Sequence, residues 1–228
     1  MNRKLLSILG MGLLILTLNS CSSSPEKSLL DRYFSALRMN DNQTLSTMAI
    51  SPMSFDVTSW EILTVSEDVV TPFALADMNT KELELKKSVE ESVGITLDAR
   101  ADLDEAIFEK NNARTGAARR AAQTKVDEMQ IAYDEQRAAH AQVQKDYNVA
   151  KESAATEEDI AAFSLGSDYP NIRDFVGEVS SKQVDVQVTG KEGSGTYRFF
   201  LWRYILEDES MNLPHRGRWI IEKVQKIG

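Results

Sequence analysis

"AQTKVDEMQIAYDEQRAAHAQVQKDYNVAKESA", residues 122–154, decides the reading of this chain. Ala122, Val126, Met129, Tyr133, Gln136, His140, Val143, Tyr147, Ala150 and Ala154 recur at alternating spacings of four and three. That is the a/d period of a coiled-coil seam, kept for more than four heptads. The segment belongs to a longer one, from Asn79 to about Ala155, that has no proline and only Gly94 and Gly116 as glycines. "NNARTG" at 111–116 is its best break, and "NTKE" at 79–82 reads as a capping box. In the first arm Val89, Val93, Leu103 and Ile107 fit one face, while Thr96 and Arg100 interrupt it. The expectation is an antiparallel helical hairpin over 79–165 that folds back at 111–116. This sets Ile107 near Ala122 and Val93 near Gln136. Arms of about 30 residues would project on the order of 45 Å at 1.5 Å per residue.

The flanks read differently. "SLLDRYFSALRMNDNQTLSTMAI", residues 28–50, places Leu29, Leu30, Tyr33, Phe34 and Leu37 on one helical face. "NDN" at 40–42 stops that helix, and Asn42 can cap a second short one that carries Leu45 and Met48. Residues 59–65, "SWEILTV", read as a strand. After Gly166, "SDYPN" reads as a loop in which Pro170 starts a short helix. Three strands close the chain: one with alternating Val184, Val186 and Val188, then "GTYRFFLWRYIL", then "GRWIIEKVQKI". "GKEGSG" at 190–195 and "ESMNLPHRG" at 209–217 are the turns between them. The fold class is therefore α+β: an antiparallel sheet packed on N-terminal helices, with the coiled-coil hairpin inserted between residues 28–78 and 166–228.

The N-terminus carries an address. Arg3 and Lys4 precede the apolar run Leu5–Leu18, which is shorter than the roughly 20 residues a helix needs to cross a bilayer. That order is the pattern of a secretory signal. It ends in Leu18-Asn19-Ser20-Cys21, which resembles the lipobox of bacterial lipoproteins; Asn19 departs from the usual small or aliphatic choice at its position. The resemblance implies cleavage after residue 20, a diacylglycerol on the Cys21 sulfur, and an acyl chain such as palmitate on the new amino group. Residues 21–27 then form a serine-rich tether. With Ser22 after the cysteine, the resemblance implies the outer membrane, facing the periplasm. Two or three chains at about 0.8 kcal/mol per buried methylene anchor stably where one does not.

The whole chain has 228 residues and a net charge of −9; loss of residues 1–20, with Arg3 and Lys4 and no acid, takes it to −11. So acidic a chain is a poor candidate for nucleic acid, whose binding needs a basic surface. Cys21 is the only cysteine, so acylation leaves no thiol for a disulfide, a metal or a nucleophile.

Two helices, a strand, a helical region and three antiparallel strands with tryptophans form an order that resembles the nuclear-transport-factor-two-like (cystatin-like) α+β roll. "LLDRYFSALRMNDNQTLSTM" is similar to the first helices of small bacterial members and "RWIIEKV" to their last strand. The likeness covers roughly residues 28–67 and 170–226. It implies one domain with a long arm, in a superfamily of isomerases, dehydratases and non-catalytic binding modules.

Few residues point to chemistry. Catalytic members of the roll family use an acid or histidine inside the cone, where Asp31 and Tyr33 are nearest; Asp31 more simply belongs to the outer face of its helix. His140 reads as a seam residue and His215 as a turn residue, neither with metal-ligand spacing around it. "GKEGSG" lacks the lysine-serine pair and following helix of a phosphate loop. No catalytic, cofactor or metal site is expected. Arg114, Arg119 and Arg120 surround the hairpin turn as a basic tip on an acidic molecule, although cations at a helix start oppose its dipole. They are the candidate contact for an acidic partner, a cell-wall polymer or an anionic lipid surface. The leading functional reading is a non-enzymatic envelope lipoprotein, a tethered scaffold or binding module with the hairpin as its contact arm. A second reading is a small-ligand carrier or roll-type enzyme that uses the sheet's cavity. A third is a periplasmic adaptor of a transport complex, disfavoured because the flanks do not resemble lipoyl-like repeats.

Overall fold

The structure, a computed structural model, describes residues 24–53, 56–208 and 210–228. The lipobox and Cys21 lie outside the described residues. The element order is α1 (Pro25–Met39), α2 (Asn42–Ser46), β1 (Ser59–Val65), β2 (Val69–Pro72), α3 (Leu75–Asn112), α4 (Gly116–Leu165), β3 (Val176–Gly190), β4 (Gly193–Asp208), β5 (Leu213–Arg216) and β6 (Ile220–Lys226). A single 3-10 turn, Ile172–Asp174, precedes β3. The chain is α+β, as its sequence implies. It forms two compact units, and the long strands β3 and β4 each contribute to both.

The first unit takes the chain up to Glu67 together with Lys182–Leu201 and Trp219–Gly228. α1 starts where Ser24 Oγ accepts the Lys27 N–H, with Pro25 supplying a preset φ in the first turn. It ends at Asn40 in the left-handed conformation. Asp41, rather than Asn42, caps α2. Its two carboxylate oxygens accept the Thr44 N–H at 3.0 Å and the Thr44 hydroxyl at 2.5 Å, a pair of bonds that the single amide oxygen of an asparagine would have to share. β1 runs antiparallel to the second half of β3, with Trp60 opposite Val188 and Ile62 opposite Val186, and a register shift between Ile62 and Thr64. Period-two alternation buries Val184, Val186 and Val188 against Leu30, Tyr33, Phe34 and Leu37 of α1. Rings fill the middle of this core: Phe34 stacks on Trp60 at 4.8 Å and meets Phe199 edge-on at 5.6 Å, while Tyr33 meets Phe199 at 5.7 Å. A buried ion pair joins Glu26, in the first turn of α1, to Lys182, whose ammonium also lies 4.6 Å over the Trp219 ring.

The second unit is Asp68–Ser181 with Trp202–Arg218. α3 and α4 form the hairpin. Helices of 38 and 50 residues run about 57 and 75 Å at 1.5 Å per residue, longer than the arms expected. The link is three residues: Ala113 leaves α3, and Thr115 caps α4 by accepting the Ala118 N–H at 3.1 Å. Ser92 against His140, Thr96 against Gln136 and Glu109 against Lys125 fix the antiparallel register. Every α4 residue assigned to the seam, from Ala122 to Ala154, is half-buried or buried, and the period continues to Ala161 and Ser164.

The face of the first arm differs from the expected one. Val93 is 41 % and Ile107 37 % exposed, whereas Glu82, Leu85, Val89, Ser92, Thr96, Ala99, Leu103, Ala106 and Lys110 hold an unbroken four-three period of covered residues. Thr96 therefore belongs to the seam instead of interrupting it, and Gln136 receives Thr96 rather than Val93. The cause is size and hydrogen bonding. α3 brings Ser92 and Thr96 to the layers where α4 brings His140 and Gln136. The hydroxyls of Ser92 and Thr96 are satisfied locally by Val89 O and Ser92 O at 2.8 Å.

Several boundaries also differ. α3 begins at Leu75, with Asn79 inside it, because Phe73 and Leu75 are buried in the core of this unit and fix the first turn without a side-chain cap. β2, fully exposed along its length, pairs with the first half of β3, Val69 opposite Ser181. β5 lies within the segment read as a turn and pairs with β4, Ile205 opposite Arg216. Pro170 opens a single 3-10 turn instead of a helix. The base of the hairpin is pinned at Ser164. Ser164 Oγ donates to Arg218 O at 2.8 Å and accepts from the Tyr204 N–H at 3.3 Å, and a Cβ on Gly217 would lie 2.4 Å from that same oxygen.

Candidate interaction surface at the hairpin tip

Asp31 is exposed on α1, as its place on an outer face requires. Tyr33 is completely buried; its phenolic oxygen accepts the Met53 N–H at 3.0 Å, and burial pushes the phenol pKa up. It holds a loop and is no poised acid. In this core the Tyr33, Phe34, Trp60 and Phe199 rings pack against one another.

His140 sits in the seam with Nδ1 2.8 Å from Ser92 Oγ. His215 lies flat against Phe175 at 5.2 Å and beside Tyr169 at 4.6 Å. "GKEGSG" is the β3–β4 turn, where Lys191 pairs with Asp56 at 3.1 Å. Among the described residues, no group of three or more His, Cys, Asp or Glu side chains is placed to hold a metal. No helix among them is long and apolar enough to cross a membrane.

What stands out is the end of the hairpin. Arg114 is in the link; Arg119 and Arg120 are in the first turn and a half of α4. Arg119 and Arg120 are exposed. Arg119 reaches back to Ala113 O at 3.4 Å and so serves the unsatisfied carbonyl end of α3, which offsets its unfavourable position in the α4 dipole. Two further cations join the three arginines. Lys110 ends α3, and Lys125 pairs with Glu109 at 2.8 Å, an interaction that raises its pKa but is exposed and worth little. The signal was available as an absence: residues 110–126 hold five basic side chains and no acid, between Glu109 and Asp127. Beside these charges Phe108 is 68 % exposed, on a shallow groove floored by Ala113, Ala118, Ala121 and Ala122. An exposed phenylalanine amid these cations can meet an anionic, partly apolar partner.

Comparison with protein-family models, with curated proteins and with solved structures gave no match.

Proposed function

We propose that this protein is a lipid-anchored envelope protein, held at a bilayer through acylated Cys21 and acting without catalysis as a scaffold or binding module. On this reading residues 1–20 direct export, the outer membrane facing the periplasm is its site, and the hairpin is the contact arm. One observation carries the reading. The seam of α3 and α4 is completed within the chain by its own small and large residues, including a hydrogen-bonded Ser92–His140 and Thr96–Gln136 layer. A hairpin that needs no third helix to close its core can offer its far end to a partner. That end carries the basic and aromatic groups, on a chain whose net charge is −9.

The test is photo-cross-linking in living cells, with the reactive group placed at Ala117 on the tip or at Glu61 on β1. Adducts from Ala117 that vanish when Arg114, Arg119 and Arg120 become glutamate are the expected result. Adducts from Glu61 alone, or tip adducts indifferent to the charge reversal, would move the contact to the sheet.

A further inference from the structure

We infer that the occupant of the tip is the surface of an anionic lipid bilayer, with Phe108 inserted at the interface and the arginines on the phosphates; this rests on the contact-arm reading above. Three features favour a lipid surface over an acidic protein. The cations are spread over the end of α3, the link and the start of α4, around an open groove rather than inside one enclosed socket. A planar lattice of phosphates can meet all of them at once; a folded partner would need an acidic socket shaped around the tip. Next, Phe108 is exposed beside the cations, and an aromatic ring flanked by arginine is the pairing that seats in a headgroup layer. Last, Glu109 beside Phe108 is paired with Lys125 at 2.8 Å, and further acids lie farther from the turn: Glu105 on α3, Asp127 and Glu128 on α4. The same surface repels them, so contact is confined to the tip and the hairpin shaft stays off the bilayer.

The magnitude follows from the charges. Each arginine near an anionic leaflet strengthens binding severalfold, so neutralising three weakens it by roughly 100-fold, an effect that fades as salt shortens the Debye length. Burial of the Phe108 ring contributes roughly a further tenfold or more, insensitive to salt.

The experiment uses the chain from residue 21 with Cys21→Ser, which keeps every described residue and removes the acyl anchor. Its partition is measured onto phosphatidylcholine vesicles and onto mixed phosphatidylcholine–phosphatidylglycerol vesicles. Binding only to the mixed vesicles, lost in R114Q/R119Q/R120Q, kept in R114K/R119K/R120K, and accompanied by a blue shift of the added indole in Phe108→Trp, is expected. The lysine variant separates charge from the Arg119–Ala113 bond, and the changed side chains lie outside both cores, so folding is not at stake. Equal binding to both vesicles, unchanged binding by the glutamine variant, or no blue shift overturns the inference. If vesicles fail while Ala117 still gives arginine-dependent protein adducts in cells, the lipid assignment falls and the contact-arm reading stands.

Discussion

Glu26→Gln is the most informative single substitution in the first unit. The Glu26 and Lys182 side chains are each 8 % exposed, and they hold one another where α1 begins, a few residues after Cys21. Removing one charge of a buried pair costs about 3–5 kcal/mol when the other loses its counter-charge. Two features of this site pull in opposite directions. The Trp219 ring, 4.6 Å from the ammonium, and the amide oxygen that glutamine keeps go on serving Lys182, which holds the loss toward the lower end of that range. Glu26 also lies in the first helical turn, where losing its charge costs a further 0.3–1 kcal/mol, roughly. The expected net loss is therefore about 2–4 kcal/mol. Urea titration in a Trp202→Phe background measures it, because Trp60 and Trp219 then report on the first unit alone. The double variant Glu26→Leu/Lys182→Met removes both charges and should recover most of the loss. A single substitution that shifts stability by under about 0.5 kcal/mol, or a double as damaged as the single, would refute the reasoning, since a penalty of this size requires a buried charge that has lost Glu26 as its counter-charge. The pair also sets a pH dependence. Burial alone would raise the Glu26 pKa, but the hydrogen bonds from Lys182 and Ser24 outweigh it and hold it below 4.5. Its contribution is thus present above pH 4.5, the value in the unfolded chain, and is lost as pH falls through the lower folded value.

In the second unit, Ser164→Ala removes the hydroxyl that donates to Arg218 O and accepts from the Tyr204 N–H, at about 1–3 kcal/mol by thermal melting of the hairpin's helical signal. Gly217→Ala should destabilise comparably or more, since its Cβ would fall 2.4 Å from Ser164 Oγ; no loss in either variant would mean the base is not pinned there. Arg173 donates to Glu158 at 2.7 Å and to Glu82 at 2.8 Å, so it ties both helices at their base. Arg173→Leu should cost about 1–2 kcal/mol, the lower range because these groups are partly solvated, and faster amide exchange near residues 79–85 would register it. Burial pushes the Glu157 carboxyl up, opposed by the hydrogen bond it accepts from the Tyr204 hydroxyl at 2.9 Å. A raised folded pKa means its stabilising contribution is present below 4.5 and lost as pH rises through the folded value. Glu157→Gln keeps the Tyr204 acceptor, so it should raise stability at neutral pH and flatten that slope; an unchanged slope counts against the assignment.

The second arm of the hairpin was legible because ten successive seam positions repeat one period, and all ten are covered. The first arm was legible only in part: Val89 and Leu103 lie in its seam as expected, but its middle is built from Ser92, Thr96 and Ala99. A search for large apolar side chains passes over these and settles instead on the exposed Val93 and Ile107. Small hydroxyl residues become good seam residues only when the facing helix supplies bulk and the i−3 or i−4 carbonyl takes the hydroxyl, which one arm's sequence does not display. The long strands announced themselves through Val184, Val186 and Val188 and through the aromatic run of β4. β2 and β5 did not: each has four residues and ends in or includes a proline, Pro72 and Pro214, and their pairing comes from the neighbouring long strand rather than their own pattern. Of the tip, the three arginines were readable as charge. Lys110 and Lys125 fall in the same acid-free run, and Phe108 joined them only once the register of the two arms set these residues at one end.

The proposed placement of this protein at a bilayer rests on one atom, the sulfur of Cys21. Intact-mass and peptide analysis of the protein recovered from the membranes of cells that express the full chain reads that atom directly. A mature chain beginning at residue 21, heavier by a thioether-linked diacylglycerol and unable to form when Cys21 is serine, is the expected result. A chain that keeps residues 1–20, or one that begins elsewhere with a free thiol and is recovered in the soluble fraction, would contradict it.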